Sequence, residues 1–259
     1  MKTKTLNQLI KIVMAIVVLL GGYVVYDTYY DADTVKIANW NLQIFGQAKA
    51  SDTQLMQTYA SIIDDYDIVF IQEIRDNSRT SFPRLCSMLM NYSCASSSRA
   101  GRTSSQEQYG IIYKNGINIT SFRDYNPDPR DRWERPPIEV TFNINGKSLT
   151  VYNIHTKPED VENEVNYLEG VVIDRGEVIV LGDLNLDCTY DDGSAGDFEG
   201  WNYLISDDED TTSSSTNCAY DRIILNNNAY EDYANSGIYS SGITQRESDH
   251  YLVWVEMKV

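Results

Sequence analysis

Histidine is nearly absent: the 259-residue chain holds two, His155 and His250. Any imidazole chemistry has only these two rings to draw on. Positive charge is also short. Lys and Arg number 21 against 38 Asp and Glu, a net charge of −17, which excludes capture of a polyanion through bulk charge. A phosphate substrate would have to be held by metal ions or a few placed arginines. Residues 34–259 contain no linker, repeat or low-complexity block, which excludes a string of small modules. A hydrophobic content of 42% with 23% charged residues excludes intrinsic disorder. The length suffices for a large core without staples.

One apolar run stands out. Lys2, Lys4 and Lys11 precede Ile12–Tyr26, and Asp27, Asp31 and Asp33 follow; counted from Leu9 the segment has 18 residues. That is near the lower limit for a membrane span, and the leading basic residues keep the amino end in the cytoplasm. Residues 1–33 are therefore expected to be a cytoplasmic stub, a single-pass signal-anchor or signal peptide, and a short linker. The expected location of residues 34–259 is extracytoplasmic, anchored to the membrane through the amino-terminal segment or secreted. Cys86, Cys94, Cys188 and Cys218 form an even set, and an exported chain oxidises such sets. Three pairings are possible; proximity favours Cys86–Cys94 and Cys188–Cys218.

Strand patterns outnumber helical ones. Val35–Asn41, Asp67–Glu73, Tyr109–Tyr113, Ile117–Phe122, Ile138–Phe142, Ser148–Ile154, Glu177–Asp183, Tyr220–Leu225 and Tyr251–Val259 read as strands. Ser51 with Gln54 forms a capping-box pattern before Leu55, Tyr59, Ile62 and Ile63 at helical spacing. A second helix is expected near Ser81–Asn91. A third opens at Pro158, with Val161, Val165, Leu168 and Val172 as its apolar stripe. Several strands lie too close in sequence for helical crossovers. The expectation is a strand-rich mixed α/β sandwich, not a doubly wound parallel sheet.

Polar residues gather at the strand ends. Asn41, Glu73, His155, Asp183, Asn185 and Asp221 end, follow or lie near apolar strands, and Asp249 and His250 precede one. Both histidines belong to this set, which points to a metal-assisted hydrolytic site.

The spellings carry this further. They are Trp40-Asn-Leu-Gln-Ile-Phe-Gly46, Gln72-Glu-Ile-Arg-Asp76, Gly101-Arg-Thr-Ser104, Asn153-Ile-His-Thr156, Gly182-Asp-Leu-Asn-Leu-Asp-Cys188, Ser215-Thr-Asn-Cys-Ala-Tyr-Asp-Arg-Ile223 and Ser248-Asp-His-Tyr251. In these strings and their order the chain resembles the endonuclease/exonuclease/phosphatase superfamily. Within it, the Thr216–Ile223 string resembles the pancreatic-type deoxyribonuclease I family. The resemblance spans about residues 35–259. It implies an α/β (α+β) four-layer sandwich of two packed mixed β-sheets flanked by helices. It also implies endonucleolytic hydrolysis of DNA, double- or single-stranded, with catalytic Mg²⁺ (or Mn²⁺) and structural Ca²⁺.

By this resemblance Asn41, Glu73 and Asp249 match metal-side ligands, and oxygen donors suit a hard cation. Asp183 and Asn185 match the pair that holds the scissile phosphate and metal. His250, oriented by Asp221, matches the base that activates water. His155, supported by Glu107, matches the partner that binds phosphate or protonates the leaving oxygen; the two roles could be exchanged. Arg75 matches an arginine that enters the minor groove, and Arg102 belongs to a second DNA-contacting stretch, Gly101–Glu107. Asp210, Thr212, Ser214 and Thr216 match a calcium loop, and a weaker second site would lie near Asp128 and Asp131.

The chain departs from the family in three places. Ser105 stands where the family carries a tyrosine that packs on a DNA sugar. The Asn126–Pro136 loop lacks the family's short disulfide, and Cys86–Cys94 is an addition. The ten acids of residues 183–210, with no Lys or Arg among them, read as a solvated acidic surface. Arg75, Arg99, Arg102, Arg130, Arg132 and Arg135 could together form a positive approach face. The alternative function is another phosphodiesterase of the superfamily, acting on a phospholipid headgroup or a nucleotide. No protein partner is inferable.

Overall fold

The computed structural model describes residues 34–191 and 197–259. The expected anchor or leader within residues 1–33 lies outside the described residues. Among those described, no helix is long and apolar enough to cross a membrane.

The chain opens with β1 (Thr34–Phe45), a short α1 (Gln47–Ser51), α2 (Thr53–Ile63), β2 (Ile68–Ile74) and α3 (Ser81–Cys86). Five strands follow: β3 (Tyr92–Ser96), β4 (Gly110–Lys114), β5 (Asn118–Asp124), β6 (Ile138–Ile144) and β7 (Lys147–Asn153). A 3-10 turn (Pro158–Asp160) leads into α4 (Val161–Glu169), then β8 (Glu177–Asp183), β9 (Asn202–Tyr203) and β10 (Asp221–Leu225). The chain ends with α5 (Asn227–Glu231), β11 (Tyr233–Tyr239) and β12 (Leu252–Lys258).

Two six-stranded sheets result, ordered β11-β12-β1-β2-β4-β3 and β5-β6-β7-β8-β10-β9. Each is mixed: β1 with β2 and β7 with β8 are parallel, while β2 with β4 and β8 with β10 are antiparallel. Alternation along the strands builds the layers. Ile68 and Phe70 of β2 meet Val140, Phe142, Val151 and Leu181 of the other sheet in the central core. Val69 and Ile71 turn the other way, onto Leu55, Tyr59 and Ile63 of α2. On the opposite outer face Val178 and Val180 pack against Val161, Val165 and Leu168 of α4. This is the four-layer arrangement that the resemblance implied.

Local differences have local causes. The carboxylate of Asp52 accepts the Leu55 amide at 3.0 Å and caps α2, whereas Ser51 closes α1 and bonds back to Ala48. The helix expected over 81–91 ends at Cys86, because the chain must turn to start β3. Both expected disulfides, Cys86–Cys94 and Cys188–Cys218, are formed.

Candidate active site

The catalytic candidates sit where four strand ends meet. In β8 and β10, Asp183 and Asp221 face each other in register. β7 runs into His155 just beyond Asn153, and His250 lies two residues before β12. In β1 and β2, Asn41 pairs with Gln72, next to Glu73.

Both imidazoles converge on one atom. The Nε2 of His155 lies 3.3 Å from Asp183 Oδ2, and the Nε2 of His250 lies 3.5 Å from the same oxygen. Each ring is backed by its own acid on the other nitrogen. His155 Nδ1 is 2.9 Å from Glu107 Oε2, and His250 Nδ1 is 2.7 Å from Asp221 Oδ2. All five groups are buried or nearly so. Burial disfavours a charged His250 ring, but the carboxylates of Asp221 and Asp183 outweigh it and lift the ring to about 10. Burial likewise works against the Glu107 carboxylate. His155, Arg135 and Arg75 overcome it and bring this acid down to about 2.

The oxygen ligands lie against the same centre. Asn41 Nδ2 donates to Asp183 Oδ2 at 3.0 Å and to Glu73 Oε1 at 3.3 Å. Glu73 Oε2 accepts the Ile44 amide at 2.8 Å and meets Arg75 at 3.1 Å. Gln43 Nε2 donates to Asp249 Oδ2 at 2.9 Å. The other oxygen of Asp249, Oδ1, is buried with no hydrogen-bond partner among the described residues. An orphaned carboxylate oxygen beside amide and carboxylate donors fits a hard divalent cation. Glu73, Glu107 and His155 also bring ligand atoms within 4.8 Å of one another. The group formed by Asp187, Cys188 and Cys218 is no metal candidate, since its two sulfurs are joined in a disulfide.

Backbone strain is present here. Glu73 and Asn185 have φ of 58° and 51°, a left-handed conformation that costs non-glycine residues about 1–3 kcal/mol. Gly182 has a φ of +148°, and a Cβ there would run into the Ile154 carbonyl and Gln72 Nε2. Only glycine lets the His155 strand pass this close to Asp183. Asn185 lies beside the site, with its amide donating to the Thr156 carbonyl at 3.2 Å.

Arg75 is held within the site. Its Nη2 lies 2.7 Å from Glu107 Oε1, and its Nη1 donates to Ser105 at 3.2 Å. Arg102 instead pairs with Asp131 and Glu134. Arg132 pairs with Asp128 and Arg135 with Glu107. Four of the six arginines expected to form an open positive face are thus matched by acids. Near the expected second calcium site, Asp128 bonds to Arg132 and one oxygen of Asp131 to Arg102.

The Asp210 loop backs directly onto His250. Thr212 bridges His250, Ser213 N donates to the Asp249 carbonyl at 2.8 Å, and Tyr251 N donates to the Thr211 carbonyl at 2.7 Å. Within the loop Asp210 Oδ1 accepts from Thr212 N and Oγ1, and Thr212 Oγ1 reaches the Thr216 carbonyl. The Ser214 and Thr216 hydroxyls bond to each other.

Several residues contribute in ways that the sequence did not announce. Asn39, Gln72 and Asn153 form a buried polar belt between the sheets. Asn153 donates to Asn39 Oδ1 at 2.8 Å, and Gln72 Oε1 accepts the Asp183 amide at 3.0 Å. An asparagine at a core-facing position of β1, two residues after Ile37, was the available signal. Arg135 anchors the His155 and Thr156 carbonyls, and the Tyr109 hydroxyl accepts the His155 amide. Lys49 ties the Leu42 carbonyl to that of Glu247; burial lowers its pKa against the pull of Asp249 and Glu73.

Comparison with known proteins agrees with this geometry. The profile of the Endonuclease/Exonuclease/phosphatase family matches residues 38–250. Deoxyribonuclease-1 of Bos taurus is 31% identical over 217 residues, covering 74% of this chain and 77% of the relative. Deoxyribonuclease-1-like 1 of Bos taurus is 32% identical over 257 residues, covering 87% and 81%. The endonuclease/exonuclease/phosphatase from Bacteroides vulgatus shares the fold with a TM-score of 0.65 at 14% identity, over 87% of this chain and 99% of that one. The chain therefore belongs to the endonuclease/exonuclease/phosphatase family and, within it, to the deoxyribonuclease-1 group.

Proposed function

We propose that this protein is a divalent-metal-dependent DNA endonuclease that hydrolyses phosphodiester bonds by direct attack of water. The observation that carries the reading is the convergence of both His Nε2 atoms on Asp183 Oδ2, each ring backed by a separate acid. One ring takes the proton of the attacking water and the other delivers a proton to the leaving oxygen as the P–O bond breaks. Glu107 and Asp221 hold the two rings in place, and Asp221 favours the charged form of the His250 ring. A Mg²⁺ or Mn²⁺ ion held by Asn41, Glu73 and Asp249 would neutralise phosphate charge and offset the carboxylate pull on His250. Ca²⁺ at Asp210, Thr212, Ser214 and Thr216 would brace the backbone that presents His250. Names of the deoxyribonuclease-1 relatives support DNA as the substrate, and the two disulfides suit an exported protein.

The test is plasmid nicking by the soluble fragment from Thr34 onward, with and without Mg²⁺ and Ca²⁺. His155→Ala and His250→Ala should each lower kcat about 10²–10⁴-fold with an unchanged circular dichroism spectrum. Hydrolysis of sphingomyelin or phosphoinositide with plasmid left intact would instead favour the alternative phosphodiesterase.

A further inference from the structure

The acidic stretch after β8 is not simply a solvated surface. Asp197 is 8% exposed, and neither of its carboxylate oxygens has a hydrogen-bond partner among the described residues. A carboxylate removed from water without a partner is among the costliest arrangements in a folded chain. The surroundings do not relieve it. Burial, followed by the charges of Glu169 and Asp191, raises this acid to about 6.

Asp197 lines a pocket with Asp191, Asp207, Ser206, Tyr203 and Arg222. The single cation of this set, Arg222, is already committed. Its guanidinium bonds to the Ile205 and Leu186 carbonyls and to Asp207, and its Nε has no partner among the described residues. Three carboxylates against one guanidinium leave the pocket negative, which turns away anions. An apolar occupant would leave the Asp197 oxygens unpaired.

We infer that Asp197 is the central ligand of a further divalent-cation site, most suited to Ca²⁺, formed with acids and hydroxyls of the same pocket. Carboxylates and a hydroxyl are hard oxygen donors. Their origin on several loop segments suits the adaptable coordination of Ca²⁺ better than the rigid octahedron of Mg²⁺. This site is separate from the Asp210–Thr216 loop and from the Asn41, Glu73 and Asp249 set.

The experiment uses the full chain stripped of metal and titrated with Ca²⁺ by calorimetry, in parallel with Tb³⁺ luminescence. In the Asp210→Ala background one Ca²⁺ equivalent should remain that Asp197→Asn removes. Tb³⁺ emission sensitised by Tyr203 should be displaced by Ca²⁺ and lost in Asp197→Asn. Equal Ca²⁺ stoichiometry with and without Asp197→Asn would overturn the site. So would a Tb³⁺ signal indifferent to that substitution. If the variant fails to fold, anomalous scattering from wild-type crystals soaked in Tb³⁺ decides: a peak bonded to Asp197 supports the site, and no peak there overturns it. Nuclease activity is not a readout, so the outcome is independent of the proposed reaction.

Discussion

Glu107→Gln isolates the charge beneath the first imidazole. The glutamate is 3% exposed and serves three partners: His155 through Oε2, and Arg75 and Arg135 through Oε1. Glutamine has nearly the same volume but one acceptor oxygen, so it satisfies the ring or the guanidiniums, not both. The native carboxyl lies at about 2 instead of 4.5. At about 1.4 kcal/mol per pH unit, that is roughly 3 kcal/mol of stability. Breaking one partner of a buried ion pair costs a similar amount, about 3–5 kcal/mol. For a chain of this size the melting temperature should fall by about 6–12 °C at pH 7. The sign of the pH dependence follows from a depressed carboxyl. Its contribution is complete above the ordinary value of 4.5 and fades as pH falls towards about 2. Thermal unfolding of both proteins from pH 7 to pH 2.5 should show the gap closing. A gap that stays constant across this range would mean that shape, not charge, sets the cost.

Other expectations are independent of this one. EGTA should lower the melting temperature, since Ca²⁺ at a hundred times its Kd stabilises a protein by about 2.7 kcal/mol; a loss of the same size in Asp210→Ala, with or without EGTA, would exclude the loop as the site. Gly182→Ala should cost at least about 1–3 kcal/mol from backbone strain alone, with a further penalty from the Ile154 carbonyl, and wild-type stability in a denaturant titration would contradict the close approach described. Cys188→Ser with Cys218→Ser, which opens a link across 30 residues, should lose roughly 3–4 kcal/mol in the chain-entropy model, measured as a lower urea midpoint. Nicking should slow as NaCl rises, because phosphate contacts release counterions; indifference to salt would argue against a polyanionic substrate.

Apolar runs such as Asp67–Glu73 and Glu177–Asp183 announced buried strands, and β2 and β8 follow them almost residue for residue. The strands that escaped notice carry a weak signal. β3 (Tyr-Ser-Cys-Ala-Ser), β9 with two residues, and β11 (Tyr-Ala-Asn-Ser-Gly-Ile-Tyr) are all sheet edges. An edge strand packs on fewer neighbours and tolerates polar residues. The site was legible through its spellings, because a reacting phosphate restricts which side chains can stand beside it. The belt of Asn39, Gln72 and Asn153 was not, since Asn39 reads as an ordinary polar interruption and nothing in the spellings joins Gln72 to Asn153.

Chain order and local chemistry were enough to indicate a strand-rich sandwich, to favour the two disulfide pairings and to single out which histidines and acids could take part, while the four layers came from the family resemblance; strand periodicity and short spellings are properties of neighbouring residues. The convergence of His155, 95 residues before His250, on a single oxygen of Asp183 was decided only when the two sheets packed face to face. The pairing of the arginines with acids, and the burial of Asp197 within a stretch that reads as surface, were decided in the same way. Burial and pairing depend on what arrives from elsewhere in the chain, and no local pattern records it.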